Sequence, residues 1–149
     1  MSDHMWQTLT IGGDPGEHRD RLMELVDECG FENAEEDGIH LRCDGDFSVF
    51  CETLGGLKEF LRKSGMSYDH HMEGKWDYDG GVYFWRLGQH HDGCTEGFSF
   101  ATQSGNATVQ VDDLMECLSS GLTLEQAIER HNIPELPVFV SEVVTANAE

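Results

Sequence analysis

Between Ser67 and Gly97 two aromatic runs mirror each other about Asp79-Gly80-Gly81-Val82. Gly-Gly is a two-residue hairpin signal, because such turns need positive φ at their centre and glycine takes it without strain. A turn there sets residues whose numbers sum to 161 opposite each other, so Trp76 faces Trp85 and Tyr78 faces Tyr83. The four rings share one side of the hairpin, where each cross-strand pair adds about 0.2–1 kcal/mol. Lys75, Asp77, Val82, Phe84 and Arg86 take the other side, with Asp77 offsetting both cations. This pattern points to an antiparallel sheet with one buried face.

Similar alternation marks further strands. Residues 5–12 alternate, as do Ile39, Leu41 and Cys43; beyond Asp44-Gly45-Asp46 the pattern resumes as Phe47, Val49 and Cys51, which predicts a second tight hairpin. Phe98 and Phe100 lead into Ser104-Gly105 and Ala107, Val109 and Val111 lead away, which sets Phe100 opposite Val109. Residues 138–144 predict a last strand and residues 31–38 an acidic loop.

Helical spacing separates these strands. Asp14 can cap a helix with Pro15 in its first turn and Glu17 at the reciprocal capping position, and Leu22, Leu25, Val26 and Cys29 then recur on one side up to Gly30. A helix over about residues 53–63 is preferred to one running from Phe47, which Gly55-Gly56 would weaken in its middle. Asp112 precedes a helix bearing Leu114, Cys117 and Leu118, and Thr123 opens another with Gln126 as its capping-box partner and Leu124, Ala127 and Ile128 on one side. One α+β domain over residues 1–149, mostly antiparallel and built from hairpins with three to four helices, accommodates all of this.

Charge sets the limits on function. The 149 residues hold 29 acidic and 9 basic side chains, a formal net charge of −20. With 38% hydrophobic residues the chain still lies above the class that cannot offset its own entropy. Residues 87–149 carry ten carboxylates against Arg130 alone, and residues 27–46 carry eight against Arg42 alone. Groove-binding proteins displace counterions from phosphate with Lys and Arg, so direct binding to nucleic acid or to an anionic membrane is disfavoured. No segment approaches the roughly 18–20 apolar residues of a membrane-spanning helix. Five cysteines, an odd number without a close Cys-x-x-Cys pair, read as reduced, and Met1 to Trp6 lack a basic secretory region. A cytoplasmic protein is the expectation.

Two chemistries remain. His70-His71 and His90-His91 lie near several acids and Cys94, and the 161 register extended outward puts His71 opposite His90 and Asp69 opposite Asp92, on one side with Glu73. Imidazole plus carboxylate is a plausible shell for zinc or another divalent metal, as in a small metal-binding protein or metal-dependent hydrolase. His71-Met72-Glu73 also matches half of a zinc deaminase signature, but no Pro-Cys-x-x-Cys follows.

The other chemistry is the acidity itself. Glu32, Glu35, Glu36, Asp37, Asp44 and Asp46 in one tract, and Asp112, Asp113, Glu116, Glu125 and Glu129 in the other, could imitate phosphate spacing and steer a basic partner onto the chain. In size and charge the chain resembles small acidic α+β proteins that block restriction or CRISPR machinery. That likeness implies a non-enzymatic inhibitor from a phage or mobile element, docking on a nuclease or another basic nucleic-acid-binding protein without cofactor. Solubility and salt adaptation are the plainer accounts of the same charge.

Overall fold

The computed structural model describes residues 4–48, 51–74, 80–88, 94–102 and 107–140. Its centre is β1, His4–Gly12, which pairs antiparallel with β3, Leu41–Ser48, on one side and β4, Ser67–Met72, on the other. Strands β2, Asn33–Glu36, β5, Gly81–Leu87, and β6, Cys94–Phe100, complete a six-stranded antiparallel sheet of order β2-β3-β1-β4-β5-β6. Four α-helices and one 3-10 turn join it: α1 (Arg19–Cys29), α2 (Glu52–Lys63), α3 (Val111–Ser119) and α4 (Leu124–His131). The fold is α+β, as the alternation and helical spacing together require. No described helix is long and apolar enough to cross a membrane.

The period of two decides which residues face which layer. Leu9 and Ile11 of β1, Leu41, Cys43 and Phe47 of β3, and Tyr68 and Trp85 of β4 and β5 point to one side. There they meet Leu22, Val26 and Cys29 of α1 and Leu54, Leu57 and Leu61 of α2, side chains three or four residues apart and buried. The expected Asp14 cap with Glu17 as its partner does not form: Asp14 accepts the Gly16 N–H at the head of a 3-10 turn over Gly16–His18, and α1 starts at Arg19 without a side-chain cap and ends at Gly30 in the left-handed conformation at φ 76°.

The other side is crossed by the extended chain of residues 132–140. Arg86, with no exposed surface, is its rivet. Its guanidinium donates to the Asp69 carboxylate at 2.7 Å, to the carbonyls of Tyr68 and Trp85 on the sheet, and to those of Pro134 and Glu135 on the crossing chain. Further along, Gly13 exchanges backbone hydrogen bonds with Val138 and Val140. A Cβ on Gly12 would lie 1.9 Å from the Pro137 carbonyl oxygen, so the close approach of the two chains requires glycine here.

Several expectations change. Tyr68, not Trp76, faces Trp85, and His70, not Tyr78, faces Tyr83, since paired residue numbers sum to 153. The register is therefore not centred on a Gly80-Gly81 turn, and Lys75, Trp76, Asp77 and Tyr78 lie outside the described residues. Tyr83 and Trp85 do share one face, with Val82, Phe84 and Arg86 on the other, and Asp69 meets the arginine.

The expected hairpin at Asp44-Gly45-Asp46 is instead the middle of β3, because eight consecutive residues, His4 to Ile11, pair along it. The acidic loop contains β2, an edge strand. At the Ser104-Gly105 connection a single bridge joins Ala101 to Ala107, one step from the expected register, and α3 begins at Val111. Of the last strand only a parallel bridge, Phe139 to Gly13, is formed among the described residues.

Candidate functional site

The two acidic tracts hang from opposite edges of the sheet. Glu35 and Glu36 lie on β2, and Glu32 precedes it with its N–H on the Asp44 carbonyl. At the far side α3 follows β6, and α4 ends against it through the Ser99 hydroxyl, which donates to the His131 carbonyl. Five inter-strand steps of about 4.8 Å separate β2 from β6. The acids of one tract thus sit on or beside one edge strand, and those of the other on the two helices that follow the opposite edge strand.

Individual acids also differ in what they do. Asp44 is buried and its carboxylate accepts from Asn33 Nδ2 at 2.8 Å, with Arg42 at 3.6 Å, so it serves the β2-β3 pairing. Asp37 accepts the N–H groups of Ile39 and His40, and these bonds hold its carboxyl below the usual range. Asp46 sits 4.0 Å from His4. Asp112, Asp113, Glu116, Glu125 and Glu129 are exposed on α3 and α4.

Those two helices bear the most unusual surface. Each repeats one order around its circumference: a buried small residue, then exposed apolar side chains, then exposed acids. On α3 these are Cys117, then Val111, Met115 and Leu118, then Asp112 and Glu116; on α4 they are Ala127, then Leu124 and Ile128, then Glu125 and Glu129. Val111 is 72% exposed and Met115 57%, values that helical core positions do not show. The helices touch each other, are joined by a short turn, and start α4 with the Thr123–Gln126 capping box foreseen from its spacing. Sequence reasoning found the apolar spacing but assigned it no role beyond packing.

The expected metal shell divides. Asp69 and His71 both project to the crossing-chain side, where they line one cavity of about 160 Å³. Arg42 lines that cavity too, and Asp69 is already bound to Arg86. Burial pushes the Asp69 carboxyl up against the opposing pull of that guanidinium. His71 Nε2 lies 3.1 Å from the Thr102 carbonyl oxygen and so donates to it. Val82, not His90, is the partner of His71 across the strands. His90 and Asp92 lie outside the described residues, and among those described no three His, Cys, Asp or Glu side chains are grouped to hold a metal.

His70, on the opposite face, belongs to a buried polar chain. Its Nε2 is 2.7 Å from Gln7 Oε1, its Nδ1 is 2.8 Å from Lys58 Nζ, and Gln7 Nε2 donates to the Phe47 carbonyl at 2.9 Å. A neutral imidazole satisfies this chain: it donates to Gln7 and accepts from the lysine. Desolvation, then the Lys58 charge, pushes the His70 pKa down to about 3, and desolvation with Arg62 nearby lowers Lys58 to about 8. Nothing local in the sequence marks Lys58 or Gln7, because they meet His70 only once α2 lies across the sheet.

Neither Cys29 nor Cys43 is an activated nucleophile. Cys29 and Cys43 are free and buried, and desolvation raises their thiols to about 11 and about 12. Against this geometry, no family model matches the chain, and neither a curated protein nor a solved structure resembles it.

Proposed function

We propose that the chain is a non-enzymatic interaction protein whose α3–α4 surface docks on a basic partner, a nuclease or another nucleic-acid-binding protein, and keeps that partner from its nucleic acid. The observation that carries this reading is the acid-flanked apolar surface: Val111, Met115, Leu118, Leu124 and Ile128 are exposed beside Asp112, Glu116, Glu125 and Glu129. Apolar anchors supply affinity once desolvated, and a carboxylate border selects a cationic partner and speeds encounter. Both signals select the same occupant, a basic surface with apolar side chains of its own. The edge strand β2, acidic but without such anchors, plays the lesser role of repelling other edges.

A photo-crosslinking residue placed at Met115, with Glu35 as the comparison site, tests this in host lysate. The reading expects identified basic nucleic-acid-binding proteins from Met115, displaced by duplex DNA and by raised salt. Equal capture from Glu35, capture indifferent to DNA, or crosslinking only to a second copy of the chain overturns it.

A further inference from the structure

In a chain with 29 acids and 9 bases, five of the eight described cations meet a carboxylate or a backbone carbonyl, Arg19 through the Val140 carbonyl. Arg21 bridges Glu24 and Glu28, Lys63 bridges Glu59, Arg42 bridges Asp44 and Arg86 bridges Asp69. Lys58, Arg62 and Arg130 have no such partner among the described residues, and of these Lys58 and Arg62 share one groove. Neither has a carboxylate partner within 4 Å among the described residues, and one helical turn places them side by side on α2, above the same groove. Lys58 is held by His70 at 2.8 Å, and Arg62 donates to the Tyr68 hydroxyl at 2.6 Å, so both cationic heads are fixed by neutral partners.

The groove runs between α2 and strands β4 to β6 and encloses about 360 Å³, room for a small organic ligand. Its floor is aromatic. Tyr83 and Phe98 are cross-strand partners with ring centroids 4.6 Å apart, and they are 48% and 40% exposed. Phe100 braces Phe98 edge-on at 5.1 Å. Glu96 also lines the groove and adds one negative charge to it. The neighbouring groove between α1 and α2 makes the contrast: its Arg21 and Lys63 are already bridged to glutamates, and its floor has no ring pair.

We infer that this groove binds a small aromatic monoanion, an aromatic carboxylate whose ring stacks on Tyr83 and Phe98 and whose anionic group lies between Lys58 and Arg62. Ring and charge are read by different residues, so neither a neutral ring nor a bare anion satisfies the site. Glu96 disfavours a second negative charge, which sets a carboxylate ahead of a phosphomonoester. The site lies on the α2 side of the sheet, apart from α3 and α4, so its occupancy and partner docking succeed or fail separately.

Calorimetric titration of the full chain tests this with indole-3-acetate, 4-hydroxybenzoate, adenosine 5′-monophosphate, indole and acetate. The two aromatic carboxylates are expected to bind with Kd on the order of 10 µM to 1 mM, and indole and acetate at least about tenfold more weakly. Arg62→Met and Phe98→Ala should each weaken indole-3-acetate about tenfold or more. Lys63→Met removes the same charge one residue away but outside the groove, and should change affinity by less than about twofold. Failure of both carboxylates to bind overturns the inference. So does equal binding of indole, tighter binding of the nucleotide, or a Lys63→Met loss as large as that of Arg62→Met.

Discussion

Four amphipathic helices attach to this sheet, and they divide into two pairs with different destinations. Helices α1 and α2 turn Leu22, Val26, Leu54, Leu57 and Leu61 into the core, each almost without exposed surface. Helices α3 and α4 bury one residue each, Cys117 and Ala127, and leave Val111, Met115, Leu118, Leu124 and Ile128 exposed, with Leu114 half-buried. Apolar spacing shows that a helix has a face to cover and says nothing of what covers it. For the first pair that partner is the sheet. For the second, the sheet's remaining face is already taken by the crossing chain of residues 132–140, held by Arg86.

The largest effect should come from that rivet. Arg86→Met strands the Asp69 carboxylate and leaves four carbonyls without their donor, a loss of about 3–5 kcal/mol for breaking a buried pair from one side. Urea denaturation measures the total. Hydrogen exchange should show the Gly13 and Val140 amides, which donate to the Val138 and Gly13 carbonyls, losing protection first. A loss below about 1 kcal/mol would mean that the crossing chain is held by something other than Arg86.

Next comes a direct contrast between the helix pairs. Leu57→Ala in α2 empties a site with no exposed surface and should cost about 2–5 kcal/mol. Ile128→Ala in α4 removes a side chain that is already half in water, and should shift stability by less than about 0.5 kcal/mol. Comparable losses at the two positions would show that the α3–α4 surface is covered in solution.

What could be read in advance was local. The Thr123–Gln126 box was legible because both bonds close within four residues, and the facing of Tyr83, Trp85 and Arg86 was legible because alternation needs no partner. Register was not. Asp69 is one of several acids upstream of Arg86, and the register of β4 with β5, which no local pattern gives, brings it to the guanidinium. Asp44-Gly45-Asp46 has turn chemistry, yet β1 pairs straight through it, and tertiary pairing overrides the local preference. The α3–α4 surface was half legible: its acids and apolar spacing were plain, and their shared exposure depended on a crossing chain that no local pattern announced. The Lys58 groove left no signal at all, since its residues come from α2 and three strands.

The third prediction sets the well-packed pair of helices against its own weak point. Beneath α2 the apolar layer is interrupted by His70, which is 5% exposed and bound to Lys58 and Gln7 as a neutral ring. Its folded pKa of about 3 lies below the ordinary 6.5, so between those values the unfolded chain takes up a proton that the folded chain refuses. The resulting stability is fully present above pH 6.5 and drains as pH falls toward 3, by roughly 1.4 kcal/mol per pH unit at most. Carboxylates titrate in the same acid range, so the measurement is a difference: His70→Gln keeps a donor and an acceptor but has no proton to gain. Between pH 6.0 and 4.5 the stability of the natural chain should fall more steeply than that of His70→Gln. Hydrogen exchange should then show α2 and β4 losing more protection, relative to neutral pH, than α3 and α4. Parallel slopes for the two proteins would mean that the buried imidazole accepts its proton without displacing Lys58, and that acid does not single out the α1–α2 side.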